Sequence, residues 1–194
     1  MRKNAKFDRD QVVDKATNLY WEKGFHATSM RNLQDVIDMR PGSIYATFGS
    51  KEGLFKEALQ RYTQQSLALL HDFRSDSSSP IDALKRFMKK IVIDSQINAP
   101  NGMCMLAKTI AELNNDNAEL LVEAKQSLKL LEGEFALLIA EAQIAGEVTQ
   151  DKQPNELARY IQIQISGLRV YAKTYGPEAP LDKMIDDIFL HYPF

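Results

Sequence analysis

The apolar residues of this 194-residue chain recur at intervals of three and four, a spacing that predicts helices throughout. No stretch alternates apolar and polar residues as a half-buried strand requires. The first helix is predicted over Asp8 to Lys23, with Asp8 as its cap and Gly24 at its end. The pattern therefore predicts an all-α protein.

The segment from Thr28 to Phe48 predicts two helices of about eight residues, separated by a turn at Asp38. Thr28 or Ser29 suits the start of the first helix, because a short side-chain oxygen accepts its free N–H groups. Ile44 and Phe48 form the buried side of the second helix and leave its polar side free. Such a helix fits a DNA major groove. Spacing alone also allows a helical hairpin inside any all-helical protein.

A longer helix is predicted from Lys51 to about Phe73, where a serine-rich linker ending at Pro80 begins. The next helix is predicted to continue to about Gln96. After a polar break, a short helix is predicted over Met103 to Leu113. A long helix then runs to about Ala145, with a heptad-like apolar seam. That seam comprises Leu121, Ala124, Leu128, Leu131, Phe135, Leu138 and Ala142.

The helix predicted over Pro154 to Tyr175 is apolar on more than one side, because Ile163 and Val170 lie off its main stripe. Such a helix must be covered on more than one side, and a second subunit is a ready cover. A dimer interface is predicted on this helix and on a last amphipathic helix. The residues assigned to it are Leu157, Ile161, Ile165, Leu168, Ile185 and Ile188.

Composition is that of a globular protein, with 44% apolar and 26% charged residues and one cysteine. The absence of a long apolar run or an apolar signal core predicts a cytoplasmic protein without a membrane partner. Residues 1–56 carry 10 Lys+Arg against 7 Asp+Glu, whereas the rest is acidic. This asymmetry fits a nucleic-acid contact at one end. Arg2, Lys3 and Lys6 predict a basic arm for phosphates or a minor groove, the alternative being a frayed terminus.

Patterns that carry catalysis are missing from the sequence. His26, His71 and His191 are scattered, and no pair at metal-binding spacing or glycine-rich phosphate loop occurs. The sequence therefore predicts no enzyme, no metal and no cofactor.

A motif in the first fifty-five residues resembles the DNA-binding signature of TetR-type transcriptional repressors. It comprises Gly42-Ser43-Ile44-Tyr45, Phe48, Ser50-Lys51 and Leu54-Phe55, preceded by a matching segment from Gly24 to Arg31. Three residues depart from the family pattern: Ile37 replaces alanine, Asp38 replaces glycine and Arg40 replaces serine. They leave the fold expectation intact but do not allow the base sequence read by this helix to be transferred.

The resemblance implies a three-helix helix-turn-helix domain over residues 1–50 and a helical bundle over residues 51–194 that dimerises and binds an effector. It implies a homodimeric repressor, bound to a double-stranded DNA operator and released by a small molecule or an electrophile. The competing class is a helical small-molecule-binding protein without a DNA function. Activation instead of repression also stays open, because it depends on where the operator lies.

Nine residues are predicted to contact DNA. Arg40, Ser43 and Thr47 are predicted to meet base edges. Thr28, Tyr45 and Lys51 are predicted to meet phosphates, Lys51 with help from the adjacent helix N-terminus. The set also includes Ser29, Arg31 and Gly42.

The effector is predicted to bind among the body helices, against Phe87, Met88, Cys104, Met105 and Phe135. The alternative is that these residues fill a solid core. Cys104 is predicted near the start of a helix, where the helix N-terminus and Lys108 stabilise a thiolate. Some regulators of the resembling type carry a reactive cysteine near this point, so Cys104 is a candidate sensor. A buried, inert thiol is the alternative.

Overall fold

A computed structural model describes residues 8–94, 96, 99–100 and 102–190. Within these ranges the chain forms nine α-helices, one π-helical turn, two short 3₁₀ turns and no strand, which confirms the all-α prediction. The helices are α1 (Arg9–Lys23), α2 (Met30–Ile37), α3 (Pro41–Phe48), α4 (Lys51–Asp76), α5 (Pro80–Lys89), α6 (Met105–Glu112), α7 (Ala118–Ile144), α8 (Pro154–Tyr175) and α9 (Leu181–Leu190). The predicted basic arm, with Arg2, Lys3 and Lys6, lies outside the described residues.

Local capping explains why the first three helices, here called the head, begin and end where they do. Asp8 accepts the N–H groups of Asp10 and Gln11 at the start of α1. Ser29 and Asn32 form a reciprocal capping box at the start of α2. Asp38 ends α2 with φ 53° and ψ 44°, the left-handed conformation that the turn prediction requires. The conformation of the turn between α2 and α3 is therefore determined locally, by Asp38.

The long helix α4 joins the head to the rest of the chain, here called the body. Near its N-terminal end, the Arg61 guanidinium donates to both carboxylate oxygens of Asp14 in α1, at 2.6 and 3.0 Å. This bond holds the pKa of Asp14 below its usual range. Arg9 and Glu57 form a second ion pair between the same two helices. These two ion pairs therefore connect α1 directly to α4.

The prediction of one helix from Pro80 to about Gln96 is wrong in one respect. The α-helix ends at Lys89, and Lys90–Asp94 forms a π-helical turn. A π turn widens the helix by one residue and shifts its hydrogen bonds, and such turns are often found at functional sites. Apolar periodicity carries no signal for this local change.

Two hydrophobic cores hold the molecule together. The first joins α1–α4 to α6 and α7, so the head shares its core with the body. The second lies within the body, between α5, α7, α8 and α9. The seam predicted on α7 faces these cores, with Ala124, Leu131, Phe135, Leu138 and Ala142 buried and Leu121 and Leu128 partly buried. No helix in the described part of the chain is long and apolar enough to cross a membrane.

Candidate functional site

Helix α3 presents one side to solvent while Ile44 and Phe48 anchor the other in the core, as predicted. Gly42 and Ser43 are exposed, and Tyr45 is 50% exposed. A Cβ added at Gly42 meets no atom of the described residues within 4 Å, so none of them covers that part of the helix. A short helix with one free side and a rigid mount can enter a major groove.

The residues flanking α3 extend this surface. Arg40 is the exposed N-cap residue of α3, and Thr47 is half-buried at the edge of the free side. Ser29 and Arg31 are exposed at the start of α2. These four residues, with Gly42, Ser43 and Tyr45, form the surface here called the head surface.

Two of the predicted DNA contacts are placed differently. Thr28 is fully buried, its hydroxyl donates to the Gly24 carbonyl at 2.6 Å, and its N–H donates to Phe25, so it has no exposed donor for a phosphate. The Lys51 ammonium donates to the Phe25 carbonyl at 2.7 Å and lies 4.2 Å from the centre of the Phe25 ring. Burial lowers the pKa of Lys51. Its ammonium fastens the start of α4 to the turn after α1.

Sequence reasoning missed Ala46, which is exposed on α3. It follows Gly42 by four residues and so lies beside it, away from the buried pair Ile44 and Phe48. The signal was available in this spacing, but a small apolar residue attracts little notice. In a major groove, an alanine methyl group suits contact with a thymine methyl group.

The six residues predicted for a dimer interface are all buried inside the single subunit, where they belong to the second core. They are therefore not available to a partner, because α5, α7 and α9 already cover them. A different apolar set is left uncovered on α7 and α8, here called the outer apolar face. It comprises Leu130, Leu137, Ile144, Ile163 and Val170, of which Leu137 is 60% and Ile163 is 67% exposed.

A cleft of about 240 Å³ opens between α1, α4, the π turn and α8. It is here called the Arg169 cleft. Its lining is mostly apolar, with a few polar groups, as in many small-molecule sites. The lining residues are Trp21, Tyr62, Gln65, Ser66, Leu69, Lys90, Ile91, Asp94, Ala99 and Arg169.

Arg169 is the buried charge of this cleft, with 4% of its surface exposed. Its Nε and Nη2 atoms donate to the Ile91 carbonyl at 2.9 and 2.8 Å, and Nη1 lies 3.5 Å from the Tyr62 hydroxyl. Burial raises the pKa of Tyr62, which therefore stays neutral at physiological pH. Sequence reasoning missed Arg169, although its position four residues after Ile165 put it on the inward side of α8.

A second space of only about 30 Å³ adjoins the cleft and shares Tyr62 and Arg169 with it. Three of the five predicted pocket residues, Phe87, Cys104 and Phe135, line this space. Met88 and Met105 are fully buried and line neither space. The volume of this second space is about that of one water molecule, so it is too small for an organic ligand.

Cys104 is the N-cap residue of α6 and is buried. The predicted help from Lys108 is not present, because the Lys108 ammonium donates to the carbonyls of Trp21 and Glu22 at 3.2 and 2.8 Å. The residues that share the small space with Cys104 include Tyr62 and Arg169 instead. A sensing role of Cys104 stays a prediction.

Helix α6 is fastened to the end of α1 by both of its ends. At its start, the Trp21 indole N–H donates to the Met103 carbonyl at 2.6 Å. At its end, the Glu112 carboxylate accepts the N–H groups of Phe25 and His26 at 3.2 and 2.7 Å. With Lys108 in between, these contacts form the α6 clamp. The clamp therefore links α6 directly to the turn that precedes α2.

Gly24 is the residue that lets the Glu112 carboxylate approach. Its φ of 88° is a conformation that other residues rarely adopt, and the carboxylate occupies the space that a Cβ would need.

Across the described ranges, no three His, Cys, Asp or Glu side chains are grouped as a metal site requires.

Two family profiles match the chain. The profile described as bacterial regulatory proteins, tetR family, matches residues 12–58, and the profile described as tetracyclin repressor-like, C-terminal domain, matches residues 80–188. Among curated relatives, the HTH-type transcriptional repressor ComR of Escherichia coli (strain K12) is 27% identical over 170 residues, covering 86% of this chain and 80% of ComR. The repressor BdcR of the same strain is 30% identical over 105 residues, covering 54% and 53%.

Solved structures show the same fold. A cysteine mutant of the TetR family transcriptional regulator CifR, complexed with 26bp double-strand operator DNA, aligns with a TM-score of 0.85 at 24% identity, covering 97% of this chain and 98% of that one. A TetR transcriptional regulator from Legionella pneumophila aligns with a TM-score of 0.77 at 21% identity, covering 95% and 98%.

Proposed function

This chain belongs to the TetR family of bacterial regulatory proteins, and from this membership we propose a dimeric repressor released from its operator by a small molecule. It is a DNA-binding transcription regulator and not an enzyme, which removes the competing class without a DNA function. Relatives that are repressors, such as ComR, support repression over activation. Because its partner is double-stranded DNA, the proposed site of action is the cytoplasm.

The single observation that carries the DNA-binding proposal is the free side of α3, which no other part of the described chain covers. Arg40, Ser43 and Thr47 are proposed to meet base edges, with Gly42 and Ala46 closest to the groove floor. Tyr45, Ser29 and Arg31 are proposed to contact the phosphate backbone, which positions the helix without reading sequence. The proposed division is residues 1–50 for DNA contact and residues 51–194 for the effector and the dimer.

The outer apolar face supports a homodimer. The three residues of this face on α7 follow one another at intervals of seven, and the two on α8 are also seven apart. Each set therefore forms a row along one side of its helix. Gly133 and Gly167 lie within these rows and leave open space, which allows another helix to approach closely. Two such helix pairs would form a four-helix interface. The two heads would then reach successive major grooves, roughly 34–36 Å apart.

The proposal of release by an effector is supported by the helices that line the Arg169 cleft. Its wall includes Trp21 of α1 and Tyr62 of α4, whose rings pack edge to face with centres 5.0 Å apart. A bound molecule would therefore contact α1 of the head and also α4, which joins the head to the body. The bound molecule weakens operator binding only if it binds more tightly to a conformation in which the heads do not fit the operator.

Glu112→Gln tests whether the α6 clamp holds the turn after α1. The change removes a charged acceptor from the N–H groups of Phe25 and His26. Hydrogen bonds to charged groups contribute about 1.5–3 kcal/mol, so exchange of these two amides should become roughly ten- to a hundredfold faster. Glu123→Gln is the matched control, because Glu123 contacts only the α4 side chains Lys56 and Gln60 among the described residues. Equal exchange in the two variants would mean that Glu112 does not hold the turn.

The experiment that tests the proposed function is selection of duplexes from a random-sequence pool, followed by mobility shift. The expected outcome is a palindromic site bound by one dimer or a pair of dimers. Recovery of no common site, with affinity the same for every duplex, would contradict a sequence-specific operator.

A further inference from the structure

The Arg169 cleft contains a buried cation without a buried counter-charge. Within the residues that the structure describes, no carboxylate lies within 4 Å of the Arg169 guanidinium. Its hydrogen-bond partners among these residues are the Ile91 carbonyl, the neutral Tyr62 hydroxyl and the Cys104 side chain. A guanidinium has five N–H donors and is always charged in proteins. The carbonyl and the hydroxyl carry no formal charge, so they do not neutralise the guanidinium.

Burying a charge is costly unless it is paired. The Ile91 carbonyl does not require a charged donor, because a neutral amide side chain could donate the same hydrogen bonds. The other charges of the cleft do not compensate for Arg169, because Lys90 and Asp94 pair with each other at 2.6 Å. The cleft therefore has a net positive charge that is fixed in position before any ligand arrives.

We infer that the Arg169 cleft binds a small organic monoanion, a carboxylate attached to an apolar or aromatic group. The planar edge of a guanidinium matches the two oxygens of a carboxylate. Trp21, Leu69 and Ile91 line the cleft with apolar surface for the rest of the molecule. A phosphate is a poorer match, because a doubly charged group needs more than one uncompensated cation.

This inference rests on the proposed function, because it names the chemical class of the effector. A carboxylate on Arg169 places the body of the ligand against Trp21, whose indole N–H and carbonyl both belong to the α6 clamp. Occupancy of the cleft would therefore be coupled to the position of the head through Trp21.

The test uses two pairs of probes that differ only in charge: benzoate with benzamide, and phenylacetate with phenylacetamide. Each is added at about 10 mM to the full-length protein, and thermal unfolding and operator mobility shift are measured. At least one carboxylate should raise the Tm by about 3 °C or more, as a ligand well above its Kd does for a protein of this size. The same carboxylate should weaken operator binding at least threefold. Its amide should do neither.

Two variants assign the effect to the cleft. Arg169→Met keeps much of the side-chain length and removes the charge, and it should abolish the response to carboxylate. Tyr62→Phe keeps the ring packing and the cation, and it should weaken the response severalfold while the protein stays folded. If Arg169→Met does not fold, the inference is still tested by the comparison of each carboxylate with its amide and by the Tyr62→Phe variant.

The outcomes separate this inference from the proposed function. If the protein binds no operator in the absence of any probe, the proposed function fails. If it binds its operator and neither carboxylate acts more strongly than its amide, the anion inference alone is overturned. The same holds if folded Arg169→Met keeps the full carboxylate response. A third outcome is that N-ethylmaleimide releases the operator, carboxylates do not, and Cys104→Ser no longer responds to N-ethylmaleimide. Covalent modification of Cys104 would then be the trigger instead.

Discussion

Ala46→Glu is expected to reduce operator affinity at least a hundredfold while leaving the fold intact. Ala46 is exposed on the free side of α3, so a longer side chain fits in the unbound protein. In the complex, its carboxylate would enter a groove between two rows of phosphates. A charge that loses water and finds no partner costs several kcal/mol, and a factor of one hundred corresponds to about 2.7 kcal/mol.

The measurement is a mobility shift on the selected operator, with thermal unfolding of the free protein alongside. Gln64→Glu is the matched control, because it adds the same charge at an exposed position of α4, away from α3. The control should bind the operator within about twofold of the wild type. If Ala46→Glu also binds with unchanged affinity, α3 does not enter the groove.

The double variant Leu137→Glu with Ile163→Glu is expected to be a folded monomer with operator affinity lowered by two to four orders of magnitude. Both side chains are more than half exposed in the subunit, so their replacement leaves its core unchanged. In the proposed dimer, the same changes place unpaired charges between apolar surfaces. Two heads on one dimer bind the second half-site at an effective concentration near millimolar, and separate monomers lose that advantage.

Sedimentation at several concentrations should show one mass for the variant and twice that mass for the wild type. Ile165→Glu is an informative contrast, because Ile165 is 3% exposed and belongs to the core within the subunit. That variant should lose thermal stability or fail to fold, and it should not give a folded monomer. A double variant that still sediments as a dimer would place the contact on another surface.

Local sequence rules predicted the helices well. The bounds of α8 were predicted at Pro154 and Tyr175, and the left-handed residue at Asp38 was predicted from the tolerance of aspartate for that conformation. Ser50 caps α4 by accepting the Gly53 N–H at 3.0 Å. Each of these features is decided within a few residues of chain, where propensity and capping act directly.

Features that depend on distant parts of the chain could not be predicted in the same way. Spacing shows that α8 is apolar on two sides, but it does not show which side the same subunit covers. Ile165 was assigned to the dimer interface but is buried in the subunit core, whereas Ile163, off the main stripe, is exposed. Arg169 meets a carbonyl 78 positions away in the chain, and Lys51 meets one 26 positions away. Partners so far apart leave no trace in a local pattern.

The core that α1–α3 share with α6 and α7 bears on how far the parts of this protein are interchangeable. A chimaera that joins residues 1–50 to the remainder of another regulator would replace one half of a packed interior and keep the other half. Phe25, Leu33 and Ile44 would then meet side chains that were not selected to fit them. DNA specificity is more safely exchanged through the exposed residues of α3 alone, because they do not belong to the shared core.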